Sequence, residues 1–185
     1  MYSVNSIFQT KIEVKRSKFI SFLLPYNQFK EYLAQLKEEH PKASHIIYAY
    51  RCLNEFSQVI ENSSDDGEPK GAAATPTLNQ MRGSELIESA ILTVRYFGGT
   101  KLGVGGMVRA YSSSAKAVIE AADILPFEPM EEYSFNAPYN QQRQIEYHLK
   151  NCDIQTVRRE FQTDNITWHI AAGSSKLSKL KQLLV

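Results

Sequence analysis

Apolar positions recur along the chain with a period of two, then with a helical period, and this switch repeats. The runs "SIFQTKIEV" and "SKFISFLLPY" read as two strands around Lys15, Arg16 and Ser17, with Phe19, Phe22 and Leu24 apolar and Pro25 closing the second. From Gln28 to His40, Phe29, Tyr32, Leu33 and Leu36 fall at helical spacing, opposite Lys30, Glu31, Lys37, Glu38 and Glu39, and Pro41 ends the helix. "SHIIYAYRCL" predicts a strand with His45 near its start, and "EFSQVIEN" its antiparallel partner after a turn at Leu53 and Asn54. "SSDDGEPKGAAATPTL", Ser63 to Leu78, reads as a long polar loop, of a length usually functional or mobile. "LIESAILTVRYF" is a continuous apolar run, the pattern of a buried central strand. From Met107 onward, Met107, Tyr111, Ser114, Val118 and Ala121 share one helical face.

The two prolines of "DILPFEPMEE" interrupt this periodicity and place a domain boundary near residues 125 to 131, giving domains 1–126 and 131–185. The pattern then restarts. "YSFNAP" is a strand, "NQQRQIEYHLKN" a helix, and "DIQTVRREF" with "ITWHIAA" a hairpin across Thr163, Asp164 and Asn165. Ser174 is placed to cap a last helix carrying Leu177, Leu180 and Leu184. The order βαββα is that of a ferredoxin-like split βαβ without its sixth element, which leaves an expected open sheet edge. The fold class is α+β.

Composition narrows the functional classes. A net charge of +1 provides no global basic field, so any anion site must be local. Cys52 and Cys152 stand in no metal-ligand spacing, which argues against a disulfide scaffold or a structural zinc site. The first residues lack the pattern of a secretory leader and no apolar run could span a bilayer, so the expected location is cytoplasmic with no membrane partner.

The stretch "RYFGGTKLGVGGMVRAY" packs five of the nine glycines into positions 98 to 106, between a predicted strand and a helix N-terminus. Orphan amides and the helix dipole make such a turn a candidate anion site. A Walker A loop would need lysine and a hydroxyl where Val104 and Gly105 stand, and the dinucleotide fingerprint meets Val108 in place of its third glycine. Charge points the same way as backbone, because no acid occurs between Ser89 and Ile119 while Arg95, Lys101, Arg109 and Lys116 do. The candidate anion contacts are therefore Arg95, Gly98, Gly99, Lys101, Gly103, Gly105, Gly106 and Arg109.

A competing chemistry lies in the acidic loop. Asp65, Asp66 and Glu68, beside Gly67 and Pro69, offer carboxylates for a divalent cation, with His45 as a candidate acid or base. That motif has no EF-hand spacing, and acids beside Gly and Pro are common in solvated turns. Cys52 in a strand reads as a core residue, and the lysines 176, 179 and 181 as a solvated helix face.

"DDGEPKGAAATP" followed by "LTVRYFGGTKLGVGGMVRAY", with "SKF" and "SHIIYAY", resembles the signature of the YigZ/IMPACT family over residues 17 to 120. The resemblance implies an N-terminal domain of the left-handed βαβ type found in the fourth domain of elongation factor G. It also implies a ferredoxin-like C-terminal domain and a link to translational regulation. Three features depart from the family pattern: Ala72 and Ala74 replace a threonine and a glycine, Ile47 stands where cysteine is common, and the C-terminal domain stops before its last strand. The implied function is a non-enzymatic regulator of translation, with ribosomal RNA or a ribosome-associated protein as partner and no cofactor. Two alternatives stay open. One is a metal-dependent enzyme acting on a nucleotide or phosphate ester, with the cation at Asp65, Asp66 and Glu68; the other is a protein-interaction module.

Overall fold

Five strands of the N-terminal part hydrogen-bond into one antiparallel sheet in the computed structural model, which describes residues 1–184. Val185, the predicted end of the second domain, lies outside the described residues. The strands are β2 (Phe8–Val14), β3 (Ser17–Pro25), β4 (His45–Leu53), β5 (Val59–Ser64) and β6 (Ser89–Tyr96), in the order β2-β3-β6-β4-β5. A short ribbon pairs β1 (Tyr2–Ser3) with β7 (Leu125–Pro126). Three helices complete this unit: α1 (Phe29–Glu39), α2 (Ala74–Gly83) and α3 (Val104–Glu120).

The central strand explains its own composition. Residues 89–95 of β6 are all buried, because helices cover both faces of the sheet. On one face Phe29 and Leu36 of α1 pack on Phe22, Leu24, Ile46, Leu92 and Val94. On the other, Leu78, Met81, Ala115 and Val118 of α2 and α3 pack on Leu23, Ala49 and Ile91. Each of the fully buried large side chains contributes roughly 1.5–3 kcal/mol through its removal from water.

Three boundaries differ from the sequence expectation, each for a local reason. The stretch read as a loop to Leu78 becomes helical at Ala74, because the Asp65 carboxylate accepts from the amides of Ala73 and Ala74 and so takes over the role of a cap. Pro76 is tolerated in that first turn, where its missing N–H would have had no intrahelical partner. The strand expected from Glu55 starts at Val59, since Asn54 Oδ1 accepts from the amides of Phe56 and Gln58 and widens the turn. Helix α3 begins at Val104 rather than Met107, with Gly105 and Gly106 inside its first turn.

The chain divides into two compact units, Met1–Phe127 and Glu128–Val185. In the second, β8 (Met130–Pro138), α4 (Gln142–Asn151), β9 (Thr156–Phe161), β10 (Asn165–Gly173) and α5 (Ser174–Leu183) follow in the order βαββα. The strands pair antiparallel as β8-β10-β9, the order of the first three strands in a ferredoxin-like fold. Ile166, Trp168 and Ile170 of β10 pack with Ile145 and Leu149 of α4 and Leu177 and Leu180 of α5. Ser174 does not cap α5; Gly173 holds the cap position, and the neighbouring Ser175 hydroxyl donates to Glu128 Oε2 at 2.7 Å. No helix among the described residues is long and apolar enough to cross a membrane.

Candidate functional site

Sheet register builds the first part of the site. Antiparallel pairing sets Phe19 of β3 and His45 of β4 directly opposite Arg95 of β6, so three residues distant in sequence form one row on the face that α3 covers. The loop after β5 then lays Glu68 over that row. Arg95 Nη1 donates to Glu68 Oε1 at 2.5 Å, and the Tyr111 hydroxyl of α3 donates to the same oxygen at 2.7 Å. Glu68 Oε2 lies 3.8 Å from His45 Nε2.

Arg95 is accordingly not where the sequence reading places it. It is 5% exposed, its guanidinium carbon sits 5.6 Å from the Phe19 ring centroid, and Glu68 supplies its counter-charge. A buried ion pair of this kind tethers the acidic loop to the sheet and to α3, and it turns the guanidinium away from solvent anions. Tyr111 is legible in sequence only as a buried helix position; the signal for its role is that a buried phenol needs an acceptor. Burial, reinforced by the bond to Glu68, holds this phenol well above the ordinary tyrosine range.

The sign of the resulting pH dependence follows from linkage. The unfolded phenol ionises near pH 10 and the folded one only at higher pH, so the contribution is complete below about pH 10 and lost above it. On the alkaline side stability should fall by up to about 1.4 kcal/mol per pH unit. Urea midpoints across that range should show a shallower fall for Tyr111→Phe. Part of the slope should persist, because Tyr26 is also pushed up to about 12, chiefly by burial.

The other two acids are each committed to backbone donors. Asp65 accepts from Gly71, Ala73 and Ala74 at 2.8, 3.1 and 2.8 Å. Asp66 Oδ2 accepts from the amide of Ile46 at 2.6 Å, and the Asp66 carbonyl lies 2.7 Å from His45 Nδ1. Since a carbonyl only accepts, it is Nδ1 that donates a proton in this bond, and Nε2 is left facing Glu68. Asp66 and Gly67 adopt φ of 46° and 86°, the sharp bend that aims Glu68 inward before Pro69 continues the loop. The three carboxylates thus serve three different structural tasks, and among the described residues no three His, Cys, Asp or Glu side chains group as metal ligands.

The glycine turn presents a different surface. Gly98 is pinned, its amide donating to Ser17 Oγ at 3.1 Å against the β2–β3 turn. Beyond it Gly99, Lys101, Gly103, Gly105 and Arg109 are exposed, and Gly106 is partly covered under Leu102. Gly103, at φ 71°, occupies the cap position of α3, where no side chain caps the helix and no acid stands in the first turn. Lys101 and Arg109 form no ion pair among the described residues, and neither a hydrogen bond nor an ion pair joins Arg109 to Asp66. The orphan amides at the start of α3 and these two cations therefore face solvent together.

Both loops fall inside the segment 15–119 that matches the Impact N-terminal domain. The chain belongs to the IMPACT family. It is 33% identical over 175 residues to IMPACT family member YigZ of Escherichia coli K12, a match spanning 93% of this chain and 85% of that protein. An IMPACT family member from Thermus thermophilus is 37% identical over 127 residues, 68% of each chain. The crystal structure of a hypothetical protein, 28% identical, superposes with a TM-score of 0.73 over 99% of this chain and 90% of its own. Within the IMPACT fold, two of the departures from the family signature become neighbours: Ile47 and Ala72 pack in one apolar cluster with Phe19, Met107 and Tyr111. Cys52 is buried in β4 with its thiol raised by that burial, consistent with a core residue rather than a thiolate.

Proposed function

We propose that this IMPACT family protein is a non-enzymatic regulator of translation that binds RNA phosphates, on ribosomal RNA or beside a ribosome-associated protein, in the cytoplasm. The observation that carries the reading is the exposed, uncapped N-terminus of the 17-residue helix α3, flanked by Lys101 and Arg109 without acidic partners among the described residues. Amides of Val104, Gly105 and Gly106 receive phosphate oxygens, and Arg109 supplies a charge-assisted second contact. The glycines at these positions let the RNA backbone approach without a side chain between. Catalysis through a cation at the acidic loop is the weaker reading, since Asp65, Asp66 and Glu68 already satisfy protein donors.

Filter binding of a ribosomal RNA hairpin over a salt series tests this. Affinity should fall linearly with log salt, and Arg109→Ala should reduce the slope by about 1. A slope near zero, or one that Arg109→Ala leaves unchanged, overturns the reading.

A further inference from the structure

On the opposite face of the sheet, the face carrying α1, a cleft of about 360 Å³ is lined by Lys11, Arg16, Lys18, Ile20, Tyr96 and Phe97. We infer that this cleft seats one unpaired RNA nucleotide, its base on Phe97 and its flanking phosphates on Lys11, Arg16 and Lys18. The inference rests on the RNA-binding reading above and adds a second contact that reads single strand rather than duplex.

Charge is the first support. Lys11, Arg16 and Lys18 are exposed and form no ion pair among the described residues. They come from three places, the edge strand β2, the turn and β3, so the positive charge extends across the cleft and can follow more than one phosphate. Glu13 lies opposite Lys18 in the register but makes no ion pair with it, and no carboxylate lines the cleft.

The aromatic wall is the second support. Phe97 is 50% exposed and shares the lining of the cleft with the three cations. Its backbone is fixed, the amide donating to Ser44 Oγ at 3.1 Å. Tyr96 is fixed through its hydroxyl, 2.8 Å from His40 Nδ1. A half-exposed phenyl ring lining the cleft is a stacking platform, and every base has a face to offer it.

Anisotropy titrations of fluorescein-labelled hexauridylate, set beside the ribosomal RNA hairpin, test the cleft. Phe97→Leu should weaken hexauridylate about 5-fold or more while leaving hairpin affinity unchanged. The double change Lys11→Gln, Lys18→Gln should lower the hexauridylate salt slope by about 0.7 for each phosphate deprived of its cation. An unchanged circular dichroism melt is expected for all three substitutions, as each side chain is exposed. The cleft proposal is overturned if Phe97→Leu has no effect, if an abasic hexamer binds as tightly as hexauridylate, or if the hairpin binds and hexauridylate does not. Hexauridylate binding that depends on Phe97, without Arg109-sensitive hairpin binding, would instead overturn the α3 reading and leave the cleft standing.

Discussion

Glu68→Ala is expected to destabilise the N-terminal unit by about 3–5 kcal/mol, because it leaves Arg95 buried with no counter-charge. The magnitude follows from placement. Glu68 is 7% exposed and Arg95 5%, so water cannot replace the lost carboxylate, and Tyr111 loses its acceptor at the same time. Urea unfolding followed by far-ultraviolet circular dichroism would measure the loss. The single tryptophan, Trp168, lies in the core of the other unit, so its fluorescence follows the unfolding of that unit separately. Replacing both partners by apolar residues, Glu68→Leu with Arg95→Met, should recover much of the stability, because it is the unpaired charge that costs most. A loss below about 1 kcal/mol for Glu68→Ala would show that the pair is solvated in solution.

Gly98→Ala should be comparably damaging, on the order of 3 kcal/mol or more, through sterics alone. A Cβ there would fall 2.0 Å from the carbonyl carbon of Arg16 and 2.3 Å from the amide nitrogen of Ser17. Both are backbone atoms, and the turn that carries them is itself constrained, with φ of 47° at Lys15 and 67° at Arg16. The turn cannot retreat without disturbing the β2–β3 pairing in which Ser17 takes part. Gly99→Ala provides the contrast: its φ is 84°, but nothing stands within 4 Å of the added carbon, so the cost is conformational only, about 1–2 kcal/mol. Equal urea midpoints for the two variants would contradict the close approach at Gly98.

These effects separate the two halves of the glycine motif. Gly98 serves the fold by letting the β2–β3 turn pack against the end of β6. Gly103 and Gly105 lie on the exposed start of α3, where a ligand rather than the protein would approach. In sequence all five read as one anion loop. Nothing in their spacing distinguishes them, because the atom that excludes a Cβ at Gly98 belongs to a residue 82 positions earlier.

The same distinction runs through the rest of the molecule. Local periodicity alone identifies β3, α1, β4 and β6, and it identifies the restart of the pattern in β8, α4, β9 and β10, since burial of a face imposes a period that the chain must carry in its own residues. It also locates a glycine turn between a strand and a helix, with cations and no acids nearby. What tertiary structure decided is which charges are free. Arg95 and Arg109 look alike as flanks of "RYFGGTKLGVGGMVRAY", yet sheet register and the folded acidic loop bury one against Glu68 and Tyr111 and leave the other in solvent. Pairing across 27 and 43 positions is a long-range contact, and no window of sequence contains both partners. The physical reason is that a period records whether a residue is covered, whereas the identity of what covers it is set only when distant segments meet.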